Sequence, residues 1–153
     1  MNMWDYQKTF EKIKEILETH LKGQVNEFEN GTHLTISGSE IWISTESGEF
    51  TIGYGLPHTH YDPEYDSLNN ALDDFINLLT KRKRVTLFLK GNMIYKVKTE
   101  IEIDNQKFRE FGTSMTWFFP FWRKTTKIVI FENPVIEYSK IEKEIKDLKV
   151  LVK

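Results

Sequence analysis

The stretch that decides the fold runs from residue 33 to residue 54 and reads HLTISGSEIWISTESGEFTIGY. It contains three short segments rich in β-branched and aromatic residues, His33–Ile36, Glu40–Ser44 and Glu49–Tyr54. Ser37-Gly38 and Ser47-Gly48 separate these segments, and such dipeptides are typical of tight turns. Strands joined by such short turns pair antiparallel, because a parallel crossover needs about a dozen residues or more. The stretch therefore predicts an antiparallel sheet.

Apolar residues at helical spacing predict three helices around this sheet. They recur at steps of three and four over Asp5–Leu21, over Ser67–Lys81 and over Ser139–Lys149. Asp66 or Ser67 can cap the second helix, because a short polar side chain can accept a hydrogen bond from the first turn. Each helix has one apolar stripe, so each needs a surface of the sheet to cover it.

The segments that follow the second helix predict four more strands. Val85–Ile103 has the pattern of a hairpin around Gly91-Asn92, and Lys107–Trp117 and Lys124–Phe131 add one strand each. The predicted order of elements is αβββαββββα. Because 153 residues is a common size for one domain, we expect residues 1–153 to form a single α+β domain. Its sheet should be largely antiparallel, with the helices packed on one face.

Composition excludes several classes of protein and site. The chain contains no cysteine, so disulfides, thiolate metal sites and cysteine nucleophiles are excluded. The opening MNMWDYQKTF lacks a basic region followed by an apolar run, which favours a cytoplasmic location. Every apolar stretch is shorter than the roughly 18 to 20 residues of a membrane span. We therefore expect no membrane partner.

Charge is distributed unevenly along the chain, although the net charge is only -2. Residues 23–80 contain no lysine or arginine and carry ten acids, whereas residues 81–130 carry twelve bases against four acids. One explanation is that the two halves interleave in the fold and neutralise each other across neighbouring strands. The other is that the acidic half presents a face to a basic partner.

Residues 53–66, GYGLPHTHYDPEYD, hold the densest group of polar side chains. If this loop is extended, His58 and His60 project to the same side, and Asp62 or Asp66 could complete a ligand set for zinc or iron. The spacing matches no diagnostic motif such as His-Glu-x-x-His, so we expect no metal and no other cofactor. A structural or partner-facing loop is the preferred interpretation.

Catalysis finds little support in the sequence. Asp62, Glu64 and Asp66 could act as a general acid and base, but acids just before a helix more often cap it. No Gly-x-Ser-x-Gly elbow or phosphate-binding loop is present. We therefore expect a protein that is not an enzyme.

Two further clusters each have a structural and a functional interpretation. Lys81-Arg82-Lys83-Arg84 could neutralise phosphates, but it lies where the second helix should end, which favours helix capping and no nucleic-acid partner. Thr116–Trp122 contains two tryptophans and three phenylalanines around one proline. Core filling at a sheet corner is the preferred interpretation, and an aromatic anchor for a protein interface is the alternative.

Four segments resemble a known group of proteins: Phe50-Thr51-Ile52-Gly53-Tyr54-Gly55, His58-Thr59-His60-Tyr61-Asp62, Phe111-Gly112-Thr113-Ser114 and Phe119-Pro120-Phe121-Trp122. The group consists of small Gram-positive bacterial immunity proteins that are encoded beside polymorphic toxins. The resemblance implies a single α+β domain that blocks a cognate toxin by tight binding and catalyses no reaction.

The charge pattern favours an acidic binding face for such a toxin, since toxins that attack nucleic acids tend to be basic. We expect the partner-binding residues to be Glu46, Glu49, His58, His60, Tyr61, Asp62, Glu64, Tyr65, Asp66, Asp73 and Asp74. Charge reversal at Asp62, Glu64 and Asp66 should slow association more at low salt than at high salt. Two alternatives remain, a metal-dependent enzyme centred on His58 and His60, and a module that binds a small apolar ligand. The latter needs a cavity beneath the sheet, lined by Trp117, Phe119 and Trp122.

Overall fold

A computed structural model describes residues 3–62 and 66–152 of the chain. The helices are α1 (Met3–His20), α2 (Leu68–Thr80) and α3 (Tyr138–Leu151). The strands are β1 (Val25–Phe28), β2 (His33–Ile36), β3 (Ile41–Ser44), β4 (Phe50–Tyr54), β5 (His58–Tyr61), β6 (Lys83–Lys90), β7 (Met93–Asp104), β8 (Lys107–Met115) and β9 (Thr125–Glu132). No described helix is both long enough and apolar enough to cross a membrane.

The predicted fold class is confirmed, since the protein is α+β and its strands pair antiparallel. The order of elements is αβββββαββββα, so β1 and β5 are additional to the predicted strands. Both are only four residues long, and polar side chains make up half of β1 and three of the four residues of β5, so neither has a clear apolar alternation in the sequence. Backbone pairing with β2 and β4 makes them strands.

The strands form two sheets. The first is a simple meander in the order β1-β2-β3-β4-β5, and its inner face carries buried aliphatic and aromatic residues such as Ile43, Phe50 and Ile52. The buried stripes of α1, α2 and α3 belong to the same core cluster, with Phe10 and Leu72 among their members. The helices thus cover one face of the first sheet and leave the other face to solvent.

The second sheet has the order β8-β7-β6-β9 and only partly belongs to this core. At its base, Val85, Ile101 and Phe111 are buried in the core cluster. Farther out, β6 and β7 are only half-buried or exposed, and β9 is exposed along nearly its whole length. The second sheet therefore extends beyond the helices as a projecting arm.

Polar contacts tie the base of the second sheet to the rest of the molecule. The hydroxyl of Tyr54 in β4 donates to the carboxylate of Glu132 in β9, and burial raises the pKa of Tyr54. Lys83 is completely buried, and its Nζ donates to the carbonyl oxygens of Leu78 (2.8 Å) and Lys81 (2.9 Å). Burial lowers the pKa of Lys83 to about 8. One side chain thus joins β6 to the end of α2.

The basic run from Lys81 to Arg84 follows the end of α2, as predicted, since the helix ends at Thr80. Lys83 satisfies carbonyl groups there, the role expected of a cation at a helix C-terminus. Arg82 and Arg84 lie in or beside β6 and stack on aromatic rings. Their guanidinium carbons lie 4.4 Å and 4.2 Å from the ring centres of Phe131 and Phe108.

The aromatic segment between β8 and β9 departs from its predicted role in the core. Trp117, Phe118, Phe121 and Trp122 are 85%, 88%, 73% and 72% exposed. Phe119 is half-buried and packs on Tyr95, with 4.6 Å between the ring centres. The prediction of core filling is wrong for the four exposed rings because this loop lies at the far end of the projecting arm, beyond the helices.

Candidate partner-binding face

The solvent-facing side of the first sheet carries two rows of side chains, fixed by the register of its strands. Trp42 in β3 is paired with Gly53 in β4, which is paired with His58 in β5. The neighbouring row runs from His33 through Ser44 and Thr51 to His60. Because alternate residues of a strand point to opposite faces, both rows project away from the core. We call this surface, together with Glu46 and Glu49 at its border, the His-Trp face.

Aromatic and imidazole rings form a continuous chain across this face. The ring of His33 stacks on Trp42, with 5.3 Å between centres, and Trp42 lies 5.8 Å from His58. His58 in turn meets His60 edge to face at 5.0 Å. Such contacts stabilise the rings in fixed positions relative to one another. The face thus presents an ordered platform of rings.

Gly53 is the residue that lets Trp42 lie flat across β4. A Cβ atom at position 53 would overlap the indole ring of Trp42. The indole ring extends across the strand, and its Nε1 donates to the carbonyl oxygen of Gly55 at 2.9 Å. Glycine is found within strands where another group must approach the backbone closely. The segment Phe50–Tyr54 therefore forms strand β4 and, through Gly53, also leaves space for the indole ring of Trp42.

Hydrogen bonds fix the same nitrogen of two histidines. Nδ1 of His60 lies 2.9 Å from Oε2 of Glu49, and Nδ1 of His58 lies 2.8 Å from the carbonyl oxygen of Leu56. An ionised carboxylate and a backbone carbonyl only accept hydrogen bonds, so we assign the proton to Nδ1 in both rings. Nε2 is then the nitrogen with which each ring can bind a partner.

A depression of about 280 Å³ lies on this face, lined by His33, Trp42, Ser44, Glu46, Glu49, Thr51, His58 and His60. Pockets that enclose small ligands are usually about 300 to 1,000 Å³ in volume. The depression is slightly smaller than that range, and His58 and His60 on its border are exposed. It suits the insertion of one side chain from a protein partner better than the enclosure of a small ligand.

Four of the predicted partner-binding residues come together here: Glu46, Glu49, His58 and His60. The prediction that the two histidines would project to one side is confirmed by the strand β5 and by their ring contact. His33 and Trp42 were missed as members of the site. A signal was present in the sequence, because both occupy the polar phase of strands whose alternate residues are apolar.

Other predicted residues lie away from this face and bind one another. Tyr61 points into the core and is only 5% exposed, and its hydroxyl donates to the carboxylate of Asp74 in α2. Nη2 of Arg109 in β8 donates to the same carboxylate at 2.8 Å. Burial and the neighbouring Asp74 raise the pKa of Tyr61. This trio connects β5, α2 and β8, so Tyr61 serves as a junction within the fold and not as a surface anchor.

The remaining acids are distributed over α2 and the loop before it. Asp73 forms an ion pair with Lys149 of α3. Asp66 accepts a hydrogen bond from the backbone of Asp62 at 3.0 Å, while Ser67 caps α2 by accepting from the backbone of Asn70. Glu64 and Tyr65 lie outside the described residues. Asp73 and Asp74 thus have cationic partners within the chain.

The geometry also bears on the two alternative kinds of site. Within residues 3–62 and 66–152, no three histidine or carboxylate side chains are grouped so that they could hold a metal ion. The cavity expected beneath the sheet for an apolar ligand requires Trp117 and Trp122, but both are exposed on the projecting arm.

Comparison of the chain with models of protein families, with curated proteins and with solved structures finds no match.

Proposed function

We propose that the protein is a non-catalytic binding protein that acts as the immunity protein of a bacterial toxin. A basic side chain of the toxin would insert into the His-Trp face. The observation that carries the proposal is the platform formed by the half-buried rings of Trp42 and His33 and the exposed rings of His58 and His60, bordered by the carboxylates of Glu46 and Glu49. Tryptophan is enriched among the residues that dominate protein interfaces.

Charge at the border of the platform favours a cationic side chain as the inserted group. Glu46 is exposed, and Glu49 is half-buried and binds His60. A guanidinium group can stack on an indole or imidazole ring and pair with a carboxylate at the same time. An arginine of the toxin fits this combination better than a lysine, because only arginine has a planar group that does both.

The position of the face on the fold also favours tight binding. The opposite side of the same strands is packed in the core, with Ile43 and Ile52 both almost fully buried. The platform is therefore preorganised, and little conformational entropy needs to be lost when a partner binds. An inhibitor that must neutralise a toxin at low concentration depends on that property.

Because immunity proteins are encoded beside their toxins, the test is co-expression of this chain with a toxin domain from a neighbouring gene. The wild-type chain should restore growth of cells that produce the toxin, and calorimetry with a catalytically inactive toxin should show one-to-one binding. Trp42→Ala should weaken binding by at least about 2 kcal/mol, the range of an interface hot spot. Failure of the wild-type chain both to protect cells and to bind would exclude the immunity function.

A matched pair of charge reversals tests the face itself. Glu46→Lys should weaken binding and slow association, because the substituted lysine would repel the proposed arginine. Glu137→Lys, at an exposed position just before α3, is the control and should leave binding unchanged. Equal effects of the two reversals would place the toxin contact elsewhere on the molecule.

A further inference from the structure

The far end of the projecting arm carries exposed aromatic rings and cations that take no part in the His-Trp face. It consists of the β6–β7 turn at Gly91-Asn92 and the loop of residues 116–124 between β8 and β9. We call this end the arm tip. We propose that the arm tip docks on the surface of an anionic phospholipid bilayer. Its exposed rings would lie in the interfacial region of the bilayer, and its cations would bind lipid phosphates.

The loop of the arm tip is held in place while most of its rings face solvent. Phe119 packs on Tyr95, and the backbone N–H of Thr116 donates to the carbonyl oxygen of Tyr95 at 2.9 Å. A turn closes the loop, since the N–H of Arg123 donates to the carbonyl oxygen of Pro120 at 2.9 Å. One ring of the segment thus anchors the loop.

The exposed rings form a compact apolar group at the end of the molecule. Trp117, Phe118, Phe121 and Trp122 are all more than 70% exposed, and Phe121 meets Trp122 edge to face at 5.2 Å. Single exposed apolar residues are ordinary on protein surfaces, but a group of four large rings in one short loop indicates a binding site. Tryptophan and phenylalanine are the residues that interfacial segments insert among lipid headgroups.

The charge of the arm identifies the kind of surface that it fits. Residues 85–99 and 111–131 contain no aspartate or glutamate. Lys98 pairs with Glu100 and Glu110 at the base of the arm, and the other bases of these segments are Lys90, Lys96, Arg123, Lys124 and Lys127. Lys90 and Arg123 line an open cavity of about 540 Å³, together with Gly91, Asn92, Met93, Pro120 and Trp122. Two cations beside exposed rings match a phosphate headgroup that lies next to lipid chains.

Two other occupants agree less well with these contacts. A single-stranded nucleic acid is bound along a groove with a series of free ring faces, but along the strands of the arm the ring of Phe88 already has the ammonium groups of Lys96 and Lys127 at 4.8 Å and 5.1 Å. The rings of Phe108 and Phe131 are covered by guanidinium groups in the same way. A second copy of the chain would bring two acid-free basic tips together, and like charges repel.

Vesicle sedimentation tests the proposal with the whole chain. The wild-type protein should sediment with vesicles of phosphatidylcholine that contain roughly one third phosphatidylglycerol, and remain in solution with phosphatidylcholine alone. Sedimentation should decrease as salt is raised, because screening weakens attraction to the anionic surface. Excess glycerol phosphate should not release the protein, since the free headgroup lacks the apolar phase that the rings require.

Two pairs of variants separate the parts of the arm tip. Trp117→Ser with Phe118→Ser should weaken binding at least about tenfold. Val150→Ser with Leu151→Ser removes two exposed apolar residues at the end of α3 and should have no effect. Lys90→Gln, Arg123→Gln and Lys124→Gln together should weaken binding by about a hundredfold. The control replaces Lys107, Lys140 and Lys143, which are exposed elsewhere. Circular dichroism and unfolding midpoints should show that all four variants fold.

A second measurement uses only the wild-type protein. Lipids brominated in their acyl chains should quench its tryptophan fluorescence in anionic vesicles, because bromine quenches only on contact. Absence of sedimentation with the anionic vesicles would overturn the proposal, and so would unchanged binding by the Trp117→Ser, Phe118→Ser variant. It would also fail if a single-stranded oligonucleotide bound more tightly than the vesicles, or if the arm tip instead made a dimer that those two substitutions separate.

Discussion

Gly53 supports the His-Trp face from beneath, so its replacement tests the architecture of the site. Alanine at this position should displace the indole of Trp42 and break its hydrogen bond to Gly55. We expect the free energy of unfolding, measured with urea, to fall by about 1 to 3 kcal/mol, the usual cost of overpacking. In a Trp42→Ala background the same change should be neutral or stabilising by about 0.5 to 1 kcal/mol, because alanine suits a strand better than glycine. An equal loss in both backgrounds would contradict this account.

Lys83 gives the protein a predictable response to pH. Its pKa is about 8 in the folded protein because of burial, whereas an unfolded lysine titrates near pH 10.4. Between these values the unfolded chain binds more protons, so the contribution of Lys83 to the free energy of unfolding rises with pH. The slope should reach up to about 1.4 kcal/mol per pH unit.

The measurement is a comparison of urea unfolding for the wild-type protein and Lys83→Met between about pH 8 and pH 9.5. The variant should lack the rise that the wild-type protein shows. Higher pH is avoided because Tyr54 and Tyr61 have raised pKa values, and the folded protein keeps their protons longer than the unfolded chain does. The two tyrosines therefore lower the free energy of unfolding as the pH rises, which is opposite to the effect of Lys83. Parallel curves for the two proteins would show that Lys83 is not the responsible group.

At the scale of elements, helix α2 connects the two sheets through Asp74, one of two adjacent aspartates. Asp74 accepts from Tyr61 and from Arg109, whereas Asp73 pairs with Lys149 at a more exposed position. Asp74→Asn should lower the free energy of unfolding by about 1 to 2 kcal/mol, because a charge-assisted network is weakened at a partly buried site. Asp73→Asn should change it by less than about 0.5 kcal/mol.

Urea unfolding of the two variants under the same conditions makes this comparison. The pair is well matched, because the substitutions are identical and adjacent on one helix. If Asp73→Asn proved the more destabilising, the junction between β5, α2 and β8 would not depend on Asp74.

The whole molecule has two parts of different stability. The first sheet and the three helices share one core with the base of the second sheet, while the arm beyond Leu87 is half-buried or exposed. Local unfolding is easiest where few apolar groups are buried. Native-state hydrogen exchange should therefore show β9 and the β6–β7 turn opening at free energies several kcal/mol below those of α2 and β4. Uniform protection of the amides in both parts would refute this division.

Charge follows the same division. Residues 23–80, which lack lysine and arginine, form the first sheet and α2, and the basic residues 81–131 form the second sheet. The two halves meet through the ion pair of Asp74 with Arg109, and the distal arm has no acid to neutralise it. Among the described residues, the ion pair that joins the two halves thus lies at this junction. The protein is left with two differently charged surfaces for the two proposed contacts.

The sequence by itself determined the fold class, the three helices and the strands with a strong apolar pattern. Turn dipeptides and periodicity are local signals, and α2, β3 and the β6–β7 hairpin each lie within one or two residues of their predicted bounds. The site was determined in part, since strand alternation placed His58 and His60 on one side of the chain.

Tertiary structure decided what depends on pairing between distant segments. β1 and β5 became strands through hydrogen bonds to their neighbours, and Tyr61 was directed into the core by the phase of that pairing. The aromatic loop was exposed because β8 and β9 extend past the helices, a matter of strand length relative to the core. Burial is a property of the assembled layers, so a local pattern of rings cannot distinguish a filled corner from an exposed tip.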